Sequence, residues 1–129
     1  MKISEYRMPY LRNVIDEYPS TVRRMYRRGE VMIVDIRTIE EYLDHHIPGS
    51  ILIPMEFVED FANILADKEV VIACEHGNRS YYLTRTKSNL FRKCYNMLGG
   101  IDLWMRIGYE IASGKDKGLE MLLSYLEGT

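Results

Sequence analysis

Two short, almost uninterrupted apolar runs dominate the hydrophobic pattern: Val31 to Ile36, which reads Val-Met-Ile-Val-Asp-Ile after Gly29, and Val70 to Ala73. Runs of this length without alternation are strands covered on both faces, as in a parallel sheet. Between them, Thr38 to Leu43 predicts a short helix capped by Thr38, with Glu41 three residues on. Ile51 to Ile53, framed by Pro48, Gly49 and Pro54, predicts a short strand. Met55 to Ala66 carries apolar residues at 57, 58, 61, 64 and 65, the spacing of an amphipathic helix. Further on, Ser80 to Leu90 predicts a helix, Cys94 to Leu98 a strand, and Gly99-Gly100 a turn into Ile101 to Met105. Upstream, Asn13 to Tyr18 reads as an edge strand and Ser20 to Arg28 as a helix entered at Pro19. Leu119 to Leu126, with Leu or Met at 119, 121, 122, 123 and 126, reads as a terminal helix. Strands alternating with helices predict an α/β fold built on a parallel sheet.

Composition narrows the classes of function. A chain of 129 residues fits one domain, 1–129, with a core large enough to need no metal or disulfide staple. The formal charge of -2 supplies no field for nucleic acid, and Arg23, Arg24, Arg27 and Arg28 read as the solvated face of a helix. Met1 to Tyr10 has charges at Lys2, Glu5 and Arg7 and no apolar stretch of signal-peptide length. No segment has the apolar length of a membrane span, so a cytoplasmic setting without membrane contact is expected. The two cysteines, Cys74 and Cys94, exclude a disulfide framework and a four-cysteine zinc site. Cys94, in Lys93-Cys94-Tyr95-Asn96-Met97, reads as a small buried apolar residue.

Cys74 is different, because Cys74-Glu75-His76-Gly77-Asn78-Arg79-Ser80 lies between a predicted strand and a predicted helix. Backbone N–H groups of such a loop converge, and the helix N-terminus adds positive potential. Thiolates beside a helix N-terminus and an arginine have pKa values lowered from about 8.5 to roughly 3.5–7.5. The expected product is a nucleophilic sulfur in an anion cradle at the carboxyl end of a strand, where open α/β sheets bind ligands. In that cradle Arg79 would position an anion, and His76 would be either a solvated loop residue or an imidazole that adds charge. Gly77 would serve the backbone path, Asn78 would tolerate a left-handed conformation, and Ser80 would cap the helix or donate its hydroxyl to sulfur. Asp35 and Arg37 read as structural supports at a strand end, and His46 as a hydrogen-bonded turn residue. Trp104, Met97 and Met105 read as core; Tyr81 and Tyr82 are candidates to line the mouth of the pocket.

The ordered motifs resemble the rhodanese family of sulfurtransferases, in its single-domain form, over about residues 15 to 112. Asp35-Ile36-Arg37 with Glu41-Tyr42, His46-Ile47-Pro48-Gly49-Ser50 with Ile53-Pro54, the Cys74 loop, and Leu98-Gly99-Gly100 with Trp104 and Gly108 carry the resemblance. It implies a five-stranded parallel sheet flanked by helices on both faces, with an extra C-terminal helix at about 116–127 outside the match. It further implies that Cys74 carries sulfur as a persulfide without metal or organic cofactor. A small donor such as thiosulfate or a persulfide would supply the sulfur, and a thiol, cyanide or sulfur-carrier protein would accept it. Glu75, His76, Gly77, Asn78 and Ser80 would line the substrate site. A catalytically slow sulfur- or anion-binding or sensing module is the alternative.

Family phosphatases place five residues between the cysteine and the arginine, whereas four separate Cys74 from Arg79, a smaller ring suited to sulfur. Two positions depart from the family pattern. Glu75 stands where a basic or aromatic residue is common, and its charge is expected to oppose a dianionic donor, making thiosulfate a poor substrate. His45 replaces a glycine, a change expected to bear on the local turn and not on the sulfur site.

Overall fold

The computed structural model describes residues 13–128, so the reading of Met1 to Tyr10 lies outside the described residues. Five strands form one sheet in the order β1-β5-β4-β2-β3: β1 (Val14–Glu17), β2 (Met32–Asp35), β3 (Ile51–Leu52), β4 (Glu69–Ala73) and β5 (Lys93–Met97). All four pairings are parallel. This topology follows from the two apolar runs, which become the adjacent inner strands β2 and β4, with Asp35 opposite Ala73.

Alternate side chains of these strands go to opposite faces, and each face has its own core. Val34, Ile36, Val70 and Ile72 pack with Leu65, Leu83 and Phe91 on one side. Ile33, Val71, Ala73 and Met97 pack with Val22, Ile101 and Trp104 on the other. The second face is covered by α1 (Pro19–Arg27) and α5 (Gly100–Ile107); the first by α3 (Ala62–Leu65) and α4 (Asn78–Thr86). Helices therefore flank the sheet on both faces, as expected. Among the described residues, no helix is long and apolar enough to cross a membrane.

Two predicted helices are broken. Met55–Phe61 is a 3-10 helix that passes into the four-residue α3, because it follows Pro54 and makes a tight Pro54 carbonyl to Phe57 N–H turn. Similarly, α4 stops at Thr86, and Ser88–Leu90 is a separate 3-10 turn. Met105 is exposed on α5, not in the core where its spacing placed it, whereas Met97 and Trp104 are buried. Cys94 is buried, and Arg24, Arg27 and Arg28 lie exposed on or just past α1.

The C-terminal segment is part of the packed structure. Leu119 and Leu122, the latter on α6 (Glu120–Glu127), join Leu52 of β3 and Tyr42 of α2 (Ile39–Asp44) in a third buried cluster. Ahead of α6, Asp116 accepts from the Tyr42 hydroxyl at 2.7 Å and contacts Nε2 of buried His46. The His46 ring stacks on Tyr42 with centroids 3.7 Å apart, and its Nδ1 lies 2.7 Å from the Tyr42 carbonyl. His46 is thus fully engaged in holding the turn, as its reading from the motif expected.

The Gly99-Gly100 turn has a specific task. A Cβ at Gly100 would lie 2.4 Å from the Glu75 carbonyl oxygen and 2.6 Å from that of Cys74, and its φ is +65°. The space is filled by the Cys74 loop itself. Gly100→Ala is expected to cost about 1–3 kcal/mol, the range for overpacking, read from chemical denaturation; unchanged stability would show that the loop yields freely.

Candidate active site

Cys74 follows the last residue of β4, between the ends of β2 and β5, so the sheet delivers its sulfur to the carboxyl edge. The loop after it returns over the sulfur. Gly77 adopts φ +94° at the N-terminus of α4, and this reversal brings the Gly77 N–H to 3.2 Å and the Ser80 N–H to 3.3 Å from Cys74 Sγ. The loop carbonyls are drawn the opposite way. Cys74 and Glu75 carbonyls accept from the N–H groups of Ile101 and Asp102, both at 2.9 Å, at the start of α5. One helix end thereby satisfies loop acceptors that would otherwise face the sulfur, while the donors stay turned toward it.

The Ser80 hydroxyl completes the inner contacts. It is buried, 3.4 Å from Sγ and 2.6 Å from Asn96 Oδ1. Asn96 lies on β5 and was not singled out in the sequence, although a polar residue within Cys94-Tyr95-Asn96-Met97 is itself a signal. His76 is exposed on the loop, and Asn78 is exposed as the first residue of α4; it takes helical backbone, so the left-handed position expected of Asn78 falls instead on Gly77. Tyr81 and Tyr82 are exposed at the fourth and fifth positions of α4, with the Arg85 guanidinium 4.0 Å over the Tyr81 ring.

Arg79 is directed to a carboxylate. Its two terminal nitrogens each donate to Glu41 at 2.9 Å. The guanidinium is held in its charged form first by this bond, with a smaller Coulombic contribution from the Cys74 sulfur. Glu41 meanwhile completes the capping box of α2 through Thr38. Chiefly through Arg79, its carboxyl is pulled down to about 2 from an ordinary 4.5. One residue therefore ties the N-terminus of α2 to the helix that follows the cysteine.

Beneath the loop lies Arg37, fully buried. Its Nε donates to Asp35 Oδ1 at 3.0 Å, Nη2 to Asp35 Oδ2 at 2.9 Å and to the His45 carbonyl, and Nη1 to Glu75 Oε1 at 2.7 Å. Glu75 consequently faces a guanidinium that it shares with Asp35, one buried cation against two carboxylates. This pairing lessens the expected opposition of Glu75 to an anionic donor without removing it. The expectation for His45 is corrected: its Nε2 lies 2.9 Å from Glu75 Oε1, so the departure from glycine reaches the sulfur loop. Burial disfavours the His45 imidazolium, but bonds to Asp44 and Glu75 outweigh it and raise its pKa above the usual 6.5. The Glu75–His45 bond is therefore charge-assisted below that raised value and weakens as pH rises through it.

Glu75, His76 and Asp102 bring metal-ligand atoms within 4.8 Å of one another, but Arg37 already engages Glu75 and Arg106 engages Asp102 at 3.1 Å. The chemistry the site offers is that of a thiol in a cradle of backbone donors on a doubly covered parallel sheet. Residues 18–107 match the rhodanese-like domain, and the chain belongs to that family. A sulfurtransferase of Allochromatium vinosum is 34% identical over 106 residues, covering 78% of this chain and 95% of that protein. A putative sulfur carrier protein of Bacillus subtilis, YrkF, is 43% identical over 74 residues, covering 56% of this chain and 40% of the relative. Among solved structures, a rhodanese-related protein of Thermoplasma volcanium superposes with a TM-score of 0.69 at 26% identity, over 76% of this chain and 97% of that one.

Two outcomes follow from the ion pairs. Arg37→Met leaves Asp35 buried without its counter-charge and is expected to cost about 3–5 kcal/mol in urea unfolding; a near-neutral result would show that the guanidinium is not the support of the loop. The carboxyl of Glu41 is depressed on folding, so its contribution is present above pH 4.5 and lost as pH falls through about 2. The stability gap between the parent protein and Glu41→Gln should therefore narrow over that window. A gap independent of pH would contradict it.

Proposed function

We propose that this protein is a rhodanese-type sulfurtransferase in which Cys74 carries sulfane sulfur from a small donor to an acceptor. The observation that carries the reading is the pair of backbone N–H groups, from Gly77 and Ser80, aimed at Cys74 Sγ within a family-matched loop. A sulfurtransferase among the relatives supports it. In the first half-reaction, the Cys74 thiolate attacks the outer sulfur of thiosulfate or of a low-molecular-weight persulfide. The donor's S–S bond breaks and sulfite, or the donor thiolate, leaves with its electron pair. In the second, a thiol, cyanide or carrier-protein thiolate attacks the terminal sulfur, and Cys74 leaves as a thiolate.

The N–H donors are positioned to stabilise the anionic sulfur in both directions, as an oxyanion hole does for oxygen. Arg79 supplies further positive potential from its place on Glu41. The alternative of a slow binding module drew on the unfavourable charge of Glu75, and the bonds from Arg37 and His45 weaken that argument.

Intact-mass measurement after incubation with thiosulfate, and separately with glutathione persulfide, tests the proposal. One sulfur atom should be gained, retained in Cys94→Ser and absent in Cys74→Ser. No adduct from either donor would favour a binding module.

A further inference from the structure

The hydrogen bonds around Ser80 continue beyond the sulfur across the sheet, from buried Ser80 and Asn96 out to the partly exposed Asp16. Ser80 Oγ lies 2.6 Å from Asn96 Oδ1 on β5, and Asn96 Nδ2 lies 3.1 Å from Asp16 Oδ1 on the neighbouring β1. Asp16 in turn accepts from both terminal nitrogens of Arg85, at 2.7 and 2.6 Å. The direction of every bond in this line is fixed by chemistry. A carboxylate paired with a guanidinium is an acceptor only, so Asn96 must present its NH2 group to Asp16 and its oxygen to Ser80. The serine hydroxyl has one proton. At 2.6 Å from the amide oxygen, that proton is directed to Asn96, with the Gly77 carbonyl a longer alternative at 3.2 Å. The oxygen lone pairs then face Sγ at 3.4 Å, which suits a thiol S–H donor and not a thiolate.

We propose that Asn96 is a positioning residue for Cys74: by holding the Ser80 proton it favours the thiol, and the hydroxyl turns to the sulfur only when the sulfur becomes an anion. When the thiol ionises, its proton passes to solvent, and the O–H leaves Asn96 Oδ1 to donate to Sγ. The Gly77 and Ser80 N–H groups stabilise the anion throughout, whereas the hydroxyl is a conditional donor whose cost is set from β5 and β1. Asn96 itself touches neither donor nor acceptor. The idea rests on Cys74 being the reactive residue, as proposed above, but concerns its ionisation and not sulfur transfer.

The test is the pH midpoint of Cys74 alkylation by a small reagent, followed by mass in a Cys94→Ser background, with thiolate absorbance as an independent readout. Burial already pushes the Cys94 thiol up to about 12, outside the useful range. Asn96→Ala frees the hydroxyl for the sulfur and should raise the thiolate fraction below the midpoint about two- to tenfold, the worth of the neutral Ser80–Asn96 hydrogen bond that ionisation no longer gives up. Ser80→Ala removes the hydroxyl, and in that background Asn96→Ala should leave the midpoint in place. Because Asn96 is buried, Asp16→Asn provides a second route from a partly exposed side chain: it lets the Asn96 amide turn over. It should lower the midpoint, by more when Ser80 is present than in Ser80→Ala. Equal midpoints for Asn96→Ala and its parent, or equal shifts with and without the Ser80 hydroxyl, would overturn the proposal. A protein that gains no sulfur yet shows the coupled shift would retain this inference and lose the sulfurtransferase reading.

Discussion

The buried guanidinium of Arg37 is the constraint around which the site is arranged. It joins the end of β2 through Asp35, the turn after α2 through the His45 carbonyl, and the cysteine loop through Glu75. Two carboxylates on one buried cation balance the cost of taking each out of water, and a planar fork of donors suits three acceptors in different directions. A lysine would supply the charge but not that geometry. Because the partners come from separate elements, the loop over Cys74 is held by the sheet below and not by its own length.

Held in this way, the loop separates its donors from its acceptors. Carbonyls of Cys74 and Glu75 turn to the N-terminus of α5, and the N–H groups of Gly77 and Ser80 turn to the sulfur. The glycines at 77 and 100 serve the two halves of this division. One supplies a left-handed angle, φ +94°, and the other leaves room for the carbonyls to approach. The result is a fixed positive environment that needs little rearrangement when a thiol becomes a thiolate or a persulfide, which is how preorganised donors stabilise developing charge.

Much of this was legible in the sequence because the inner strands are nearly continuous apolar runs and the cysteine loop falls between clear strand and helix patterns. The sheet, its flanking helices and the capping box of Thr38 and Glu41 follow from local spacing. What spacing could not supply were partners far apart along the chain. Glu41 to Arg79, Arg37 to Glu75, His46 to Asp116 and Asn96 to Asp16 are all long-range choices made by the fold. Thus Glu75 read as a free negative charge and His45 as a remote turn residue, although the two meet where the cysteine loop packs on the turn after α2. Asn96 was passed over because a single polar residue does not disturb a strand pattern, and its meaning depends on Ser80 and Asp16 standing on either side. The break of Met55–Ala66 into a 3-10 segment and a short helix was hidden because apolar spacing barely distinguishes the two geometries.

The most direct measurement is a single-turnover chase. Protein loaded with sulfur, freed of donor and mixed with cyanide, should yield one thiocyanate per loaded molecule and return to the mass of the free thiol form. Thiocyanate formed only while donor is present, with no isolable sulfur on Cys74, would contradict the account.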